Sequence, residues 1–417
     1  MSVLVVGGGP AGAVLAIHLA RAGVEVVLAE RSPAYRWRAC GVFSSPAVLG
    51  PLRTAGLTAD DLARVARPIP AMRLETPGGV MVRLTYGAEA DPDAGAIAGQ
   101  PTAVGFDRSA LDPLLLDLAR QAGVDVRLGT HVETIRLDSH DGPTVSVRTA
   151  AGGSILRPRI VVGADGVRSI VARAAGVSRP SPLPARIGLS HHRADDRGTG
   201  VVDARMRLLH DGYMGIAPVP GDRVNLGIVL GPAWRTPLRQ RGAVRLADAI
   251  VADVPRASDD PGSWSRPTAG DRTAEAIAGA APLGGRVTRR AGPGWIVVGD
   301  AAGFLDPFTG EGLHRALVSA GLGAGAVRSA LDGRPGSGRE TAAFAAYERS
   351  MRRRYASKDA VTWLVQSFLA RPGLLEYAAR RLAARPTVRA TMGLVMGDLV
   401  PASRGLDPRF LAALLAP

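Results

Sequence analysis

The opening segment Val3-Leu4-Val5-Val6-Gly7-Gly8-Gly9-Pro10-Ala11-Gly12 constrains the fold more tightly than anything else in the chain. Four apolar residues stop at a glycine cluster, residues 11–22 then carry apolar side chains at helical spacing up to Gly23, and residues 24–29 form a second apolar run. Strand, tight turn, helix and strand in that order make residues 3–30 one βαβ unit. In the G-x-G-x-x-G spacing, Gly7 permits the turn, Gly9 lets backbone amides approach a pyrophosphate, and Gly12 lets the helix lie close to the sheet. Pro10 and Ala11 open the helix whose N-terminus faces that anion. Glu30 ends the second strand, where a carboxylate accepts from ribose hydroxyls, and Arg31 beside it either stacks on an adenine or is solvated. The expected ligand is a dinucleotide.

The 417 residues carry 51 Lys+Arg against 37 Asp+Glu, a net +14. Lys358 is the single lysine, so the other 50 basic residues are arginine. They are scattered, with a run only at Arg352, Arg353 and Arg354, which favours a solvated surface and phosphate sites over a nucleic-acid partner. Cys40 is the lone cysteine, so no intramolecular disulfide is possible, and no basic apolar leader precedes Val3. The chain is therefore expected in the cytoplasm. It has no apolar stretch of spanning length. Oligomeric state is not legible, and basic-apolar stretches such as residues 374–384 suit either a membrane surface or a terminal helix packing on a domain.

Residues 111–128 repeat the helix-turn-strand rhythm. Between Leu189 and Leu230 short alternating runs take over, and residues 213–219 and 223–230 flank Pro220-Gly221-Asp222 as a hairpin. Residues 255–295 read as irregular, residues 295–298 as a buried strand, 312–331 as a helix, 333–338 as a linker, and the rest as helices broken at Pro372 and Pro386. Two more motifs place an aspartate at the carboxyl end of a strand, where open α/β sheets bind ligands. They are Gly163-Ala164-Asp165-Gly166 and Gly299-Asp300-Ala301-Ala302-Gly303…Asp306-Pro307-Phe308-Thr309-Gly310-Glu311-Gly312-Leu313. One such aspartate is usually a turn residue; three strand-end motifs in this order point to one extended ligand.

This trio resembles the FAD-dependent superfamily of aromatic-hydroxylase-type monooxygenases, flavin-dependent halogenases and geranylgeranyl reductases. The resemblance implies an α/β protein: a Rossmann-like FAD-binding domain (1–70, 100–180, 283–338), an inserted antiparallel-sheet substrate domain (71–99, 181–282), and a C-terminal helical segment (339–417). It implies that Gly7, Gly9, Gly12 and Glu30 hold the ADP half of FAD, that Asp165 lies near the pyrophosphate, and that Asp300, after Gly299, meets the ribityl chain. The loop through Pro307, Gly310, Gly312 and Leu313 would follow the pyrimidine edge of the isoalloxazine, with the helix N-terminus stabilising negative charge at N1 and C2=O. Arg108 resembles the family's FAD-facing arginine, and Arg38 lies in the loop that passes the ribityl region. NAD(P)H is the implied transient reductant.

Within the superfamily, halogenases use a lysine in the FAD domain and carry Trp-x-Trp-x-Ile-Pro; here the strand reads Tyr213-Met214-Gly215-Ile216-Ala217-Pro218 and Lys358 lies far along the chain. The Gly-Asp-Ala-Ala-Gly…Asp-Pro…Thr-Gly-Glu-Gly wording is closest to the reductases, although Val42-Phe43 follows Cys40-Gly41 where they have more glycine. Hydroxylases usually have His where Gly303 stands. The mixed features lead us to expect an O2- and NAD(P)H-using monooxygenase that hydroxylates or epoxidises a bulky apolar intermediate such as a polyketide or terpenoid. The alternative is a reductase of carbon–carbon double bonds, with Cys40 a weak candidate proton donor; a flavin-binding protein without turnover ranks below both. His191-His192 lack a partner at ligand spacing, so no metal is expected, and His314 reads as a cap-region packing residue.

Overall fold

Six short strands form the central sheet, in the spatial order 291–292, 295–297, 160–163, 3–6, 26–30 and 125–128. All neighbours run parallel except the 291–292 edge. The computed structural model describes residues 1–38, 41–86, 101–137, 142–195, 202–253 and 277–416. Strand Val3–Val6 sits in the interior of the sheet, with Val3 level with both Ile160 and Val26. Its four side chains are buried, as a strand covered on both faces requires, and each contributes about 1.5–3 kcal/mol of burial. Helix Pro10–Arg21 packs between Gly312–Leu331 and Arg108–Gln121. The expected βαβ opening is therefore present, and all three glycine and aspartate motifs end at the same edge of one sheet, because their strands 3–6, 160–163 and 295–297 are parallel.

The second unit is a seven-stranded sheet ordered 278–283, 186–194, 223–230, 212–219, 204–209, 71–75, 81–85. The hairpin forms as expected: Val219 pairs with Arg223, and Gly221 and Asp222 turn the chain at φ 79 and 48. Helix Arg235–Ala252 covers this sheet, burying Leu246, Ala247 and Ile250 against Met214, Leu226 and Ile228. The stretch expected to be irregular holds three strands, Ala278–Leu283, Gly285–Val287 and Ala291–Gly292. Their Gly, Ala and Pro residues carry no alternation; they are strands because Arg186–Ala194, Ser178–Pro180 and Trp295–Val297 offer them open edges.

Pro372 and Pro386 stand at the first positions of helices Pro372–Ala384 and Pro386–Met396, where a missing N–H costs nothing. Helix Gly338–Leu369 lies along Gly312–Leu331, and the Tyr347 hydroxyl donates to the Val297 carbonyl at 2.9 Å. The two following helices pack on strand Met81–Thr85, so the C-terminal segment grips both units. Among the described residues, no helix is long and apolar enough to cross a membrane.

Candidate functional site

The glycine turn shows three different uses of glycine. Gly7 has φ +106, and a Cβ there would lie 2.5 Å from the Ala164 carbonyl. At Gly12 a Cβ would sit 2.0 Å from the Gly7 carbonyl oxygen, so only hydrogen lets the helix start this close to the strand. A Cβ added at Gly9 would meet nothing within 4 Å, and its φ of −73 suits any residue. The packing at 7 and 12 is internal, whereas the space at 9 opens on a cleft. Glu30, Ser32, Arg38, Leu116 and Arg120 line that cleft with Gly9. Pro10 and Ala11 are buried where the helix begins, and Arg31 is exposed.

Glu30 is 7% exposed and accepts from the Gly8 amide at 2.8 Å and the Ser32 amide at 3.0 Å. Burial opposes its ionisation, but these donors and the Arg38 guanidinium 2.8 Å away outweigh it and hold its pKa below the ordinary value. Arg38 thus lies at the Glu30 end of the cleft, held there by the carboxylate and the Ser32 hydroxyl. Cys40 lies outside the described residues.

At the other end, one carboxylate oxygen of Asp165 accepts from the Ile170 amide at 2.6 Å, while Oδ1 is buried with no hydrogen-bond partner among the described residues. Burial raises its pKa. Asp300 follows Gly299, which has φ +60 and an amide that donates to Ser319 Oγ at 2.8 Å. Burial raises the Asp300 pKa as well, opposed by the charges of Arg108 and Arg315. Arg108 is itself held by two bonds to Asp112, at 2.7 and 2.9 Å, and by the Gly41 carbonyl. Pro307–Thr309 form one turn ended by Gly310 at φ +66, where a Cβ would strike the Phe43 ring at 2.5 Å. Gly312 and Leu313 begin the next helix, whose N-cap residue Glu311 makes no capping bond with its side chain. Thr309 Oγ1 and Ser44 Oγ are also buried without partners among the described residues. An open glycine amide turn, a carboxylate set for ribose, unpartnered polar atoms at Asp165, Thr309 and Ser44, and an uncapped helix start fit the phosphates, ribose and ring of FAD.

Several contacts of this site left no readable mark in the sequence. The Tyr213 hydroxyl donates to Asp306 at 2.7 Å, Arg186 pairs with the other oxygen of that carboxylate, and the Tyr213 and Phe308 rings meet edge to face at 5.1 Å. The second sheet is thereby fastened to the turn that starts at Asp306, and burial, reinforced by Asp306, pushes the Tyr213 pKa far up. Trp37 donates to the Ser190 carbonyl at 3.1 Å and lies 4.4 Å from the His192 ring, tying the loop after Glu30 to the same sheet. Asp398 sits 3.2 Å from His314 and 2.7 Å from both Ser45 and Lys358. Lys358, distant along the chain, is in space 3.4 Å from Glu311. These partners are separated by 84 to 353 residues wherever Asp398 meets His314 or Ser45, and by 93 between Tyr213 and Asp306, beyond the reach of any local pattern.

Residues 1–320 match the family described as FAD binding domain. The menaquinone reductase of Mycolicibacterium smegmatis is 25% identical over 405 residues, covering 95% of this chain and 91% of that protein. Digeranylgeranylglycerophospholipid reductase 1 of Methanococcoides burtonii is 27% identical over 332 residues, 78% of this chain and 73% of that one. Among solved structures, the ternary complex of aklavinone-11 hydroxylase with FAD and aklavinone is similar with a TM-score of 0.62 at 26% identity, covering 80% of this chain and 63% of the hydroxylase.

Proposed function

The chain belongs to the FAD binding domain family and is an FAD-dependent oxidoreductase, and from that premise we propose that it reduces a carbon–carbon double bond in a bulky apolar substrate of the isoprenoid class. The observation that carries this reading is the backbone at Gly303. Its φ of 118 and ψ of 135 belong to glycine, at the place where the hydroxylases to which the chain is similar usually have His. A backbone that only glycine adopts readily at this place supports the reductase wording of the motif. The two sequence relatives described above are reductases by name, one of a menaquinone and one of a digeranylgeranyl lipid, which supports an unsaturated polyprenyl substrate.

When bound, FAD would accept hydride from NAD(P)H and deliver it to one alkene carbon, the other carbon taking a proton from water. The chain's own residues bind and orient. Gly7 to Gly12 and Glu30 hold the ADP half; Asp165, Asp300 and the 307–313 turn hold the remainder. Tyr213, by fixing Asp306, sets the height of that turn against the second sheet. Met72, Leu74, Met206, Leu208 and Phe308 pack with Leu369 and Leu375 into an apolar cluster that joins the second sheet to the C-terminal helices.

The hydroxylase likeness favours a second reading, O2-dependent hydroxylation of an apolar ring system, in keeping with the expectation of a monooxygenase. Oxygen uptake distinguishes the two. With NAD(P)H and substrate present, a reductase forms product at the same rate with and without O2; a product that appears only with O2 and carries its oxygen refutes the reduction.

A further inference from the structure

Helix Gly312–Leu331 begins in the interior of the protein with a glutamate as its N-cap residue, and that glutamate does not cap it. A carboxylate at such a position is drawn to the first-turn amides by both hydrogen bonding and the helix dipole. Glu311 is 7% exposed, so solvent does not hold it away. What it faces instead is Lys358 Nζ at 3.4 Å, from helix Gly338–Leu369. That ammonium group is fixed by Asp398 at 2.7 Å and by the Val395 carbonyl at 2.9 Å. Asp398 stands in left-handed backbone at φ 58 beyond helix Pro386–Met396, and it is anchored in turn by Ser45 at 2.7 Å and His314 at 3.2 Å. The remaining charges packed here, Arg315 and Asp359, pair with each other, and the guanidinium lies 4.4 Å from the Tyr355 ring centre.

We propose that Lys358, locked by Asp398, is a positioning residue of the flavin site that holds the Glu311 carboxylate off the first-turn amides of helix Gly312–Leu331 and so keeps them open for the flavin ring. Two buried carboxylates share one ammonium group, and their partners are unequal. Asp398 has Ser45, His314 and Lys358, whereas Glu311 has the longer contact with Lys358 and the charge of Arg315, itself paired with Asp359. Burial raises the Glu311 pKa, Lys358 and Arg315 oppose that rise, and Asp398 adds to it; burial works against Asp398 too, but His314 and Lys358 outweigh it and keep Asp398 ionised. With Lys358 gone, an ionised Glu311 keeps the charge of the already paired Arg315 and turns to the helix amides, where it competes with the electron-rich edge of the flavin. The C-terminal segment thus completes the cofactor site through a single side chain. This inference rests on the binding of FAD and is independent of whether an alkene or O2 is the final acceptor.

The test is FAD affinity of the full-length protein, read by quenching of flavin fluorescence. K358M is expected to weaken FAD binding about tenfold or more, a loss that grows from mildly acidic to alkaline buffer as Glu311 ionises. The double variant K358M/E311Q is expected to recover most of that affinity, because the competing carboxylate has been removed, and K358R to stay near wild type. A double variant as weak as K358M, or a K358M loss that does not change with pH, overturns the proposal. The wild-type protein supplies a second test that needs no variant. Because Lys358 is the single lysine, 15N-lysine labelling gives one Nζ signal. That signal is expected to shift when FAD is added; a Nζ signal unmoved by saturating FAD also overturns the proposal.

Discussion

Two alanine substitutions in the glycine turn should have opposite effects on the apoprotein and on cofactor binding. In Gly12→Ala the new methyl group would lie 2.0 Å from the Gly7 carbonyl oxygen and 3.1 Å from the Ala164 methyl. The first of these is backbone, so no rotamer relieves it, and the helix must move off the sheet at a cost of about 1–3 kcal/mol or more. In Gly9→Ala the methyl group meets nothing within 4 Å at a φ of −73 that alanine adopts freely. Reduced freedom of the unfolded chain then stabilises the apoprotein by about 0.4–1 kcal/mol. The same methyl group projects where the pyrophosphate must approach the amides, so FAD affinity should fall about tenfold or more, equivalent to about 1.4 kcal/mol. Chemical denaturation of both apoproteins and fluorescence titration with FAD measure the two effects. A Gly9→Ala protein that binds FAD with wild-type affinity would refute the reading of the turn as a phosphate cradle, and a Gly12→Ala apoprotein of wild-type stability would refute the packing argument.

Tyr213→Phe removes a buried hydrogen bond to the Asp306 carboxylate, which is paired with Arg186, and should cost about 1.5–3 kcal/mol in denaturation experiments; a change below about 0.5 kcal/mol would mean that the Asp306 turn is held without it. Acid stability has a definite sign. Glu30 and Asp398 have native pKa values below their unfolded values, so their contribution is complete above the unfolded carboxylate range of about 4 and is lost as pH falls from that range toward the lower native values; Asp398→Asn should flatten the acid loss. Glu311 has the opposite sign, since its raised native pKa makes stability fall as pH rises through and above that range, and Glu311→Gln should remove that decline in a pH series of denaturation midpoints.

The sequence carried the parts of this site that depend on local geometry. Gly7, Gly12, Gly299 and Gly310 stand where a tight turn or close approach admits no side chain, and such positions cluster into motifs that can be read from residue order alone. The βαβ opening and the hairpin at Pro220–Asp222 were legible for the same reason. Strand Ala278–Leu283 was not, because its pairing with Arg186–Ala194 comes from the partner's open edge. Lys358 shows the limit most clearly: its distance along the chain suggested a place remote from the cofactor motifs, yet the Gly338–Leu369 helix folds back along Gly312–Leu331 and brings it to Glu311. Tyr213 and Asp306 each lie in a stretch marked in the sequence, but their bond to each other spans 93 residues and has no local pattern.

Reduction of an alkene by the flavin is open to an anaerobic single turnover: the holoenzyme is reduced with one equivalent of NAD(P)H, mixed with a polyprenyl quinone or polyprenyl lipid, and followed by flavin absorbance and by product mass. The flavin is expected to reoxidise without O2 and the product to gain two hydrogens at a double bond. A flavin that stays reduced until O2 is admitted, with one oxygen atom then found in the product, would contradict it.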